Sequence, residues 1–119
     1  MKKKIFIFDL DNTLCRTKKS NYKGSKPIKE RIKIVNQLKD NGHEIIIYTA
    51  RYMNRYNGNV KKIKKKYYKL TYNFLLRIGL KFTKLIMGKP KYDFFIDDKS
   101  INPNHLDLKK ILKKYIYSN

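Results

Sequence analysis

Residues 4–13 read Lys-Ile-Phe-Ile-Phe-Asp-Leu-Asp-Asn-Thr, an apolar run that ends in two acids. Such a run of β-branched and aromatic residues predicts a buried strand. A second pair of acids, Asp97 and Asp98, follows another apolar run, Phe94-Phe95-Ile96. The chain has nine acidic residues against thirty basic ones, and four of the nine lie in these two places. Because crowded carboxylates repel one another unless a cation or a proton neutralises them, the pattern indicates a divalent-metal site.

Strands and helices alternate after this first run. Residues 44–49 are a second apolar run and predict another central parallel strand. Apolar residues recur at helical spacing from Ile28 to Leu38, before Asn41-Gly42, and again from Val60 to Ile78. Both segments therefore predict amphipathic helices, and the lysines of the second helix are expected to form a solvated outer face.

The last part of the chain extends the pattern. Leu85-Ile86-Met87 and Phe94-Phe95-Ile96 predict two more strands, and the apolar residues of 106–116 predict a closing helix. This order predicts an α/β fold, a doubly wound three-layer sandwich with a mainly parallel sheet. The 119 residues suit one domain spanning 1–119.

Chemically active residues follow four of the predicted strands. They are Asp9 with Asp11, Thr49-Ala50-Arg51, Gly88-Lys89-Pro90 and Asp97-Asp98. In open parallel sheets, ligands bind outside the carboxyl ends of the strands. We therefore expect these groups to meet in one site.

The residues that follow these four strands suit metal-assisted phosphoryl transfer. Asp9 is the candidate nucleophile, because a carboxylate can attack phosphorus and form an aspartyl-phosphate. Asp11 can protonate the leaving oxygen and then deprotonate the attacking water. A Mg²⁺ ion would neutralise the anionic nucleophile and the phosphate together. The expected ligands of this ion are Asp9, Asp11 through its carbonyl, Asp97 and Asp98.

Two further groups are expected to bind the phosphate. Thr49 can donate its hydroxyl, together with neighbouring backbone N–H groups such as that of Ala50. Lys89 supplies a compact positive charge for the transferring group. His43 and His105 lie away from these motifs, so we expect ordinary surface histidines.

At these residues the sequence resembles the haloacid dehalogenase-like phosphatase superfamily. The matching motifs are Asp9-Leu10-Asp11-Asn12-Thr13-Leu14, Thr49, Lys89 and Asp97-Asp98. Longer strings are similar to the small capsule-biosynthesis phosphatases; these are residues 49–53, 56–60, 88–90 and 96–103. The resemblance implies a Rossmann-like phosphatase domain and a sugar-phosphate substrate in polysaccharide assembly. Neither gap between the motifs has room for a cap domain. A capless site is open, so we expect either a bulky substrate or a homo-oligomer that closes the site.

Residues beyond the phosphate motif are candidates for substrate contacts. Arg51 and Arg55 could hold a second anionic group, and Tyr52 and Tyr56 could stack on a sugar or a base. The alternative is that Arg51 pairs with a local carboxylate and that the tyrosines pack on the long helix.

The formal charge of +21 also has two interpretations. A basic surface attracts nucleic acid, anionic membranes or phosphorylated substrates. The alternative is compositional, since twenty-five of the thirty basic residues are Lys and the chain is rich in Asn, Ile and Tyr. We favour the second, because specific phosphate recognition prefers the Arg fork.

No apolar run reaches the roughly 18–20 residues of a membrane span or the length of a signal-peptide core, so we expect no membrane insertion and a cytoplasmic protein. A single cysteine, Cys15, fits a reducing compartment and is expected to be structural.

These observations leave three functional hypotheses. The leading one is a Mg²⁺-dependent phosphomonoesterase for a small sugar phosphate. The second is a phosphatase that removes a terminal phosphate from a polynucleotide, because an open site and a basic surface suit a long polyanion. The third is a non-catalytic module that binds nucleic acid or another partner.

Overall fold

Parallel strands at the centre of the chain bring the candidate residues together. The structure, a computed structural model, describes residues 2–117. In chain order the elements are β1 (Ile5–Phe8), β2 (Cys15–Arg16), β3 (Lys26–Pro27), α1 (Lys29–Asp40), β4 (Glu44–Thr49), α2 (Val60–Arg77), β5 (Lys84–Met87), α3 (Leu108–Ile111) and α4 (Lys113–Ile116).

The main sheet has three parallel strands in the order β1-β4-β5. Its register aligns Phe8 with Ile47 and Thr49 with Met87, so all three strands end at the same edge. Helix α1 packs on β4 and α4, whereas α2 packs on β5. The mixed α/β fold with a parallel sheet is therefore confirmed, together with the predicted strands that became β1, β4 and β5 and the predicted helices α1 and α2. The prediction that β1 is a buried central strand is wrong: within residues 2–117 it lies at the edge of the sheet, so Ile5 and Ile7 stay exposed.

The core lies between this sheet and its helices. Its fully buried side chains include Leu38 of α1, Ile45 and Ile47 of β4, and Ile63 and Leu75 of α2. Burying each such side chain contributes about 1.5–3 kcal/mol. The packed core therefore fixes the positions of the strand ends. A reactive carboxylate at such an end needs this fixed position.

The predicted fourth strand at residues 94–96 is wrong. No strand forms there, and Phe94 and Ile96 are 86% and 94% exposed. The physical reason is a competing contact, because the ring of Phe95 lies 5.3 Å from Lys89 Nζ and packs with Tyr92. This cluster holds the segment near the end of β5, and within residues 2–117 the outer edge of β1 has no strand partner.

The predicted closing helix is two short helices. Asp107 begins α3 by accepting a hydrogen bond from Lys110 N at 3.2 Å. Leu112, at φ −94° and ψ 7°, then leaves helical geometry and separates α3 from α4. Leu112 and Ile116 still bury their side chains. Leu106 and Ile111 are exposed instead, so apolar spacing alone predicted the packing face only in part and did not predict the break.

The connections in which a cap would be inserted are short. Residues 9–28 contain the antiparallel β2–β3 pair and a 3-10 turn, Tyr22–Gly24. Residues 50–59 contain turns and the 3-10 segment Tyr56–Gly58. Within the described residues the fold is thus capless. None of the helices within 2–117 combines the length and the apolar character needed to cross a bilayer.

Gly88 couples the start of α2 to the end of β5. Its φ is +95°, and a Cβ there would lie 2.7 Å from Val60 Cγ1. Gly42 has a similar φ of +88° but open space around its Cβ position. We expect Gly88→Ala to lower the free energy of unfolding by about 1–3 kcal/mol more than Gly42→Ala, since only the first adds overpacking to backbone strain. Urea titration of both variants measures this difference; equal losses would show that Val60 moves freely.

Candidate active site

Asp9 lies directly after β1, with its carboxylate fixed from two sides. Thr13 Oγ1 donates a hydrogen bond to Asp9 Oδ2 over 3.0 Å. Lys89 Nζ lies 3.4 Å from Asp9 Oδ1. The Asp9 side chain stays 29% exposed, so a ligand can reach it. The two oxygens are thereby differentiated, because Oδ2 is held by a hydroxyl whereas Oδ1 faces a cation.

Lys89 reaches this position from the end of β5. Its backbone N–H donates to Thr49 O over 3.1 Å, which joins the ends of β5 and β4. The ammonium is buried and also donates to the hydroxyl oxygen of Tyr92 over 3.1 Å. It lies 4.8 Å from the centre of the Tyr92 ring. Aromatic and carboxylate partners therefore hold this cation beside Asp9.

Asp11 is clamped by a buried arginine. Arg51 Nε lies 3.1 and 3.0 Å from Asp11 Oδ1 and Oδ2, and Arg51 Nη2 lies 2.8 Å from Oδ1. The Arg51 side chain is 2% exposed, and that of Asp11 is 22% exposed. Such a charge-assisted fork is a strong contact that fixes the carboxylate plane. The arrangement makes Arg51 a positioning residue for Asp11.

Two hydroxyl groups complete the clamp around Asp11. Thr17 Oγ1 donates to Asp11 Oδ1 over 2.6 Å, and Arg51 Nη2 donates to Ser25 Oγ over 2.9 Å. The Thr17 and Ser25 hydroxyl oxygens are 2.7 Å apart. Because the Thr17 proton is used on Asp11, Ser25 must donate to Thr17. Four donors therefore converge on Oδ1, from Arg51, Thr17 and the Cys15 thiol, while within residues 2–117 Oδ2 receives only the shared Arg51 Nε contact.

Electrostatics keep the guanidinium charged. Burial by itself would lower the pKa of Arg51, but the hydrogen bonds and charge of Asp11 outweigh it and raise that pKa above its usual value. The guanidinium also lies 4.8 Å from the Tyr22 ring centre and 4.5 Å from that of Phe74. Arg51 therefore pairs with a local carboxylate. This was the alternative to the prediction that it contacts the substrate.

The other predicted substrate residues divide into two groups. Tyr52 is buried and stacks on Tyr67 of α2 with ring centres 3.8 Å apart, so it packs on the long helix. Arg55 is exposed, 5.6 Å from both of these ring centres. Tyr56 is partly exposed and accepts a hydrogen bond from Lys66 Nζ at 2.8 Å. Of the three, Arg55 and Tyr56 are accessible to a ligand.

Thr49 ends β4 inside the site. Its side chain is buried, and its Oγ1 accepts a hydrogen bond from Arg51 N at 3.0 Å. The hydroxyl proton is then oriented away from this turn and can be donated to a phosphate oxygen. Ala50 follows at a partly exposed position.

Asp97 and Asp98 do not join the other acids. Residues 91–100 are exposed throughout, and Asp97 caps its own turn by accepting from Lys99 N at 3.1 Å. This backbone bond, with the neighbouring Asp98, lowers the pKa of Asp97. Among residues 2–117 no group of three or more His, Cys, Asp or Glu side chains forms a ready metal site.

Several site residues had not been identified from the sequence. They are Thr17, Ser25, Tyr22 and Tyr92. Thr17 and Ser25 meet only because β2 pairs with β3, and two-residue strands leave no periodic signal. Tyr92 is three residues beyond Lys89, between the predicted strands, where a single aromatic residue gives no periodic signal.

Cys15 contacts the same network but is not a reactive thiol. Burial raises its pKa above 9.0. A thiol that stays protonated in the fold while ionising in the unfolded chain contributes stability that is full below pH 9.0 and is lost as the pH rises further. We expect iodoacetamide at pH 8.5 to modify the native protein at least about tenfold more slowly than the urea-unfolded protein. Equal rates would contradict the burial.

Known proteins resemble this chain in sequence and in fold. A sequence model of haloacid dehalogenase-like hydrolases matches residues 6–73, which include Asp9, Asp11 and Thr49. The chain is also similar to the crystal structure of an MCSG target from Vibrio cholerae, with 30% sequence identity and a TM-score of 0.80. That match covers 94% of this chain and 96% of the other. Among curated proteins, no significant match is found.

Proposed function

The chain belongs to the haloacid dehalogenase-like hydrolase family, and from that premise we propose that it hydrolyses a phosphate monoester with Asp9 as nucleophile. The observation that carries the proposal is the position of Lys89 Nζ, 3.4 Å from Asp9 Oδ1. A buried cation at this point suits an incoming anion. It would also offset the repulsion between that anion and the carboxylate.

Asp9 Oδ1 is the attacking oxygen in this proposal. Thr13 restrains Oδ2 and leaves Oδ1 directed towards the ammonium. Attack on phosphorus forms the Oδ1–P bond and breaks the bond to the alcohol oxygen. Lys89 then stabilises the charge on the transferred group, and the Thr49 hydroxyl donates to another phosphate oxygen. Water attacks the aspartyl-phosphate in the second step and releases inorganic phosphate.

Asp11 moves the proton in both steps. Its Oδ1 is saturated by Arg51 and Thr17, so Oδ2 is the oxygen that can carry a proton. Oδ2 gives that proton to the leaving alcohol and later takes one from the attacking water. The clamp orients the carboxylate for this transfer, and Oδ2, which accepts from Arg51 Nε at 3.0 Å, keeps a second lone pair for the proton.

The oxygen donors at the end of β1 are of the kind that Mg²⁺ binds. Mg²⁺ takes one or two carboxylates, substrate phosphate oxygens and waters rather than a complete protein cage. The Asp9 carboxylate and the Asp11 carbonyl would hold it, and bound Mg²⁺ would neutralise charge on the nucleophile and the phosphate. We propose that Asp97 and Asp98 contribute only after their exposed segment changes position.

Phosphate release from a substrate panel tests this function. The panel contains sugar phosphates, nucleotides and oligonucleotides with 3′ or 5′ phosphates, each with Mg²⁺ and with EDTA. We expect Mg²⁺-dependent turnover that EDTA abolishes, because the anionic nucleophile then meets the phosphate unscreened. A small sugar phosphate as the preferred substrate would support the capsule-type role that the motifs imply.

Matched variants test the acids of the exposed segment. Asp97→Asn with Asp98→Asn should raise the Mg²⁺ concentration for half-maximal rate by about 10–100-fold, whereas Asp93→Asn, in the same segment, should leave it unchanged. An unchanged requirement in both variants would remove the pair from the metal site. No release from any substrate would favour the non-catalytic hypothesis.

A further inference from the structure

The first half of α2 concentrates positive charge beside the active site. Five of its first seven residues are Lys, and the whole helix contains no Asp or Glu. Cations at a helix N-terminus oppose the helix dipole, and like charges four residues apart repel. Within residues 2–117 none of these lysines forms an ion pair with a carboxylate. An anionic ligand would relieve both costs.

Part of this charge is held in place by aromatic rings. Lys62 Nζ and Lys66 Nζ lie 4.7 and 5.5 Å from the centre of the Tyr56 ring, and Lys66 also donates to the Tyr56 hydroxyl. Arg55 donates to the Tyr67 hydroxyl over 3.3 Å. We call Arg55, Tyr56, Lys62 and Lys66 the basic ridge. Its cations are restrained before any ligand binds, which lowers the entropy lost on binding.

The backbone conformation at Tyr56 is unusual. Tyr56 has φ +52° and Asn57 has φ +53°, a region that non-glycine residues seldom adopt. This conformation puts the aromatic ring beneath both lysines. A bulky residue kept in such a conformation at a ligand-facing position is typical of a functional constraint.

The basic ridge adjoins residues that are next to the catalytic groups in the chain. At one end, Val60, the first residue of α2, packs against Gly88, next to Lys89. At the other, Arg55 lies over Tyr52, which follows the Asp11 clamp residue Arg51. Lys66 is about 9 Å along the helix axis from Val60. A polymer whose terminal phosphate meets Asp9 can therefore extend over the ridge.

We propose that the substrate is a single-stranded nucleic acid with a terminal phosphate, whose next phosphates bind to the basic ridge. This inference rests on the proposed phosphatase function and deepens it. Nucleic acid is favoured because tyrosines are interleaved with the lysines, as in single-strand sites where bases stack on aromatic rings. An open depression on the same stretch of α2 also combines lysines with a tyrosine; it is lined by Lys61, Lys64, Lys65, Tyr68 and Lys69.

Charge removal on the ridge tests the inference. Lys62→Gln with Lys66→Gln is compared with Lys29→Gln and Lys33→Gln, which have the same spacing near the start of α1. In an Asp9→Asn background, the ridge pair should weaken binding of a 5′-phosphorylated dT12 by about tenfold and lower the slope of log Kd against log salt by about 1.4, or 0.7 per phosphate. The α1 pair should change neither quantity beyond about twofold.

Turnover separates this inference from the catalytic proposal. With native Asp9, the ridge pair should raise KM for the oligonucleotide and leave hydrolysis of p-nitrophenyl phosphate unchanged. Turnover of p-nitrophenyl phosphate without ridge-dependent oligonucleotide binding would overturn the inference and leave the phosphatase function intact. Tighter binding of polygalacturonate or phosphatidylserine vesicles, or equal losses in the α1 pair, would also overturn it. Ridge-dependent binding without any turnover would contradict the catalytic proposal instead.

Discussion

Asp9→Asn is expected to abolish phosphate release, with kcat lowered by a factor on the order of 10⁴–10⁶. The amide has nearly the shape of the carboxylate but no anionic oxygen to attack phosphorus. Thr13 can still donate to the remaining carbonyl oxygen, so the local fold should persist. Rates with p-nitrophenyl phosphate measure the loss.

Two controls give this result its meaning. The free energy of unfolding of Asp9→Asn should fall by about 1–3 kcal/mol, because the buried Lys89 ammonium loses its anionic partner at 3.4 Å but keeps its hydrogen bond to Tyr92. Acid-quenched protein should retain phosphate on Asp9 in the native chain and none in the variant. Residual turnover above one part in about a hundred would point to another nucleophile.

Arg51→Met is expected to lower the free energy of unfolding by about 2–4 kcal/mol. The variant keeps an unbranched side chain but leaves Asp11 without its partner, and an unpaired carboxylate at a site only 22% exposed is costly. It also removes the cation from beside Phe74. The activity should fall about 10²-fold, because Asp11 loses its fixed orientation. Urea titration and steady-state kinetics measure the two effects.

Arg77→Met is the matched control, since Arg77 also lies over Phe74 but is exposed and has no acidic partner within residues 2–117. It should change stability by less than about 0.5 kcal/mol. Arg51→Lys should restore little, because an ammonium cannot form the fork. The raised pKa of Arg51 adds stability that is complete below the pKa of an unfolded arginine and is lost only as the pH rises above it. The difference between Arg51→Met and the native chain should therefore not arise from titration of Arg51 between pH 6 and 9.

The elements with strong periodicity were predictable from the sequence. Strands β1, β4 and β5 and helices α1 and α2 lie where the apolar patterns indicate, because buried strands and amphipathic helices follow fixed repeats. Residues 94–96 have an equally apolar sequence but form no strand. Their position depends on a non-local choice between the edge of β1 and the aromatic contacts at Lys89, and local pattern cannot decide it.

Those residues of the candidate site that follow the strands of the main sheet were predictable from the sequence. Asp9, Thr49 and Lys89 follow adjacent parallel strands, so their proximity follows from topology. The pairing of Arg51 with a local carboxylate was one of two alternatives from the sequence. The Thr17 and Ser25 hydroxyls of the Asp11 clamp were not foreseen, since they meet only through β2 and β3. His43, expected on the surface, is 2% exposed and accepts from Lys4 N, because it lies between Phe6 and Tyr115. His105 is exposed as expected.

The outer edge of β1 has a consequence for the behaviour of the protein in concentrated solution. Ile5 and Ile7 are 64% and 62% exposed on a strand that lacks a neighbour on that side within residues 2–117. Such an edge can pair with another chain and begin aggregation. The charge of +21 opposes this by mutual repulsion, which acts over about 10 Å at 0.1 M salt but only 3 Å at 1 M. Colloidal stability should therefore be lost in concentrated salt.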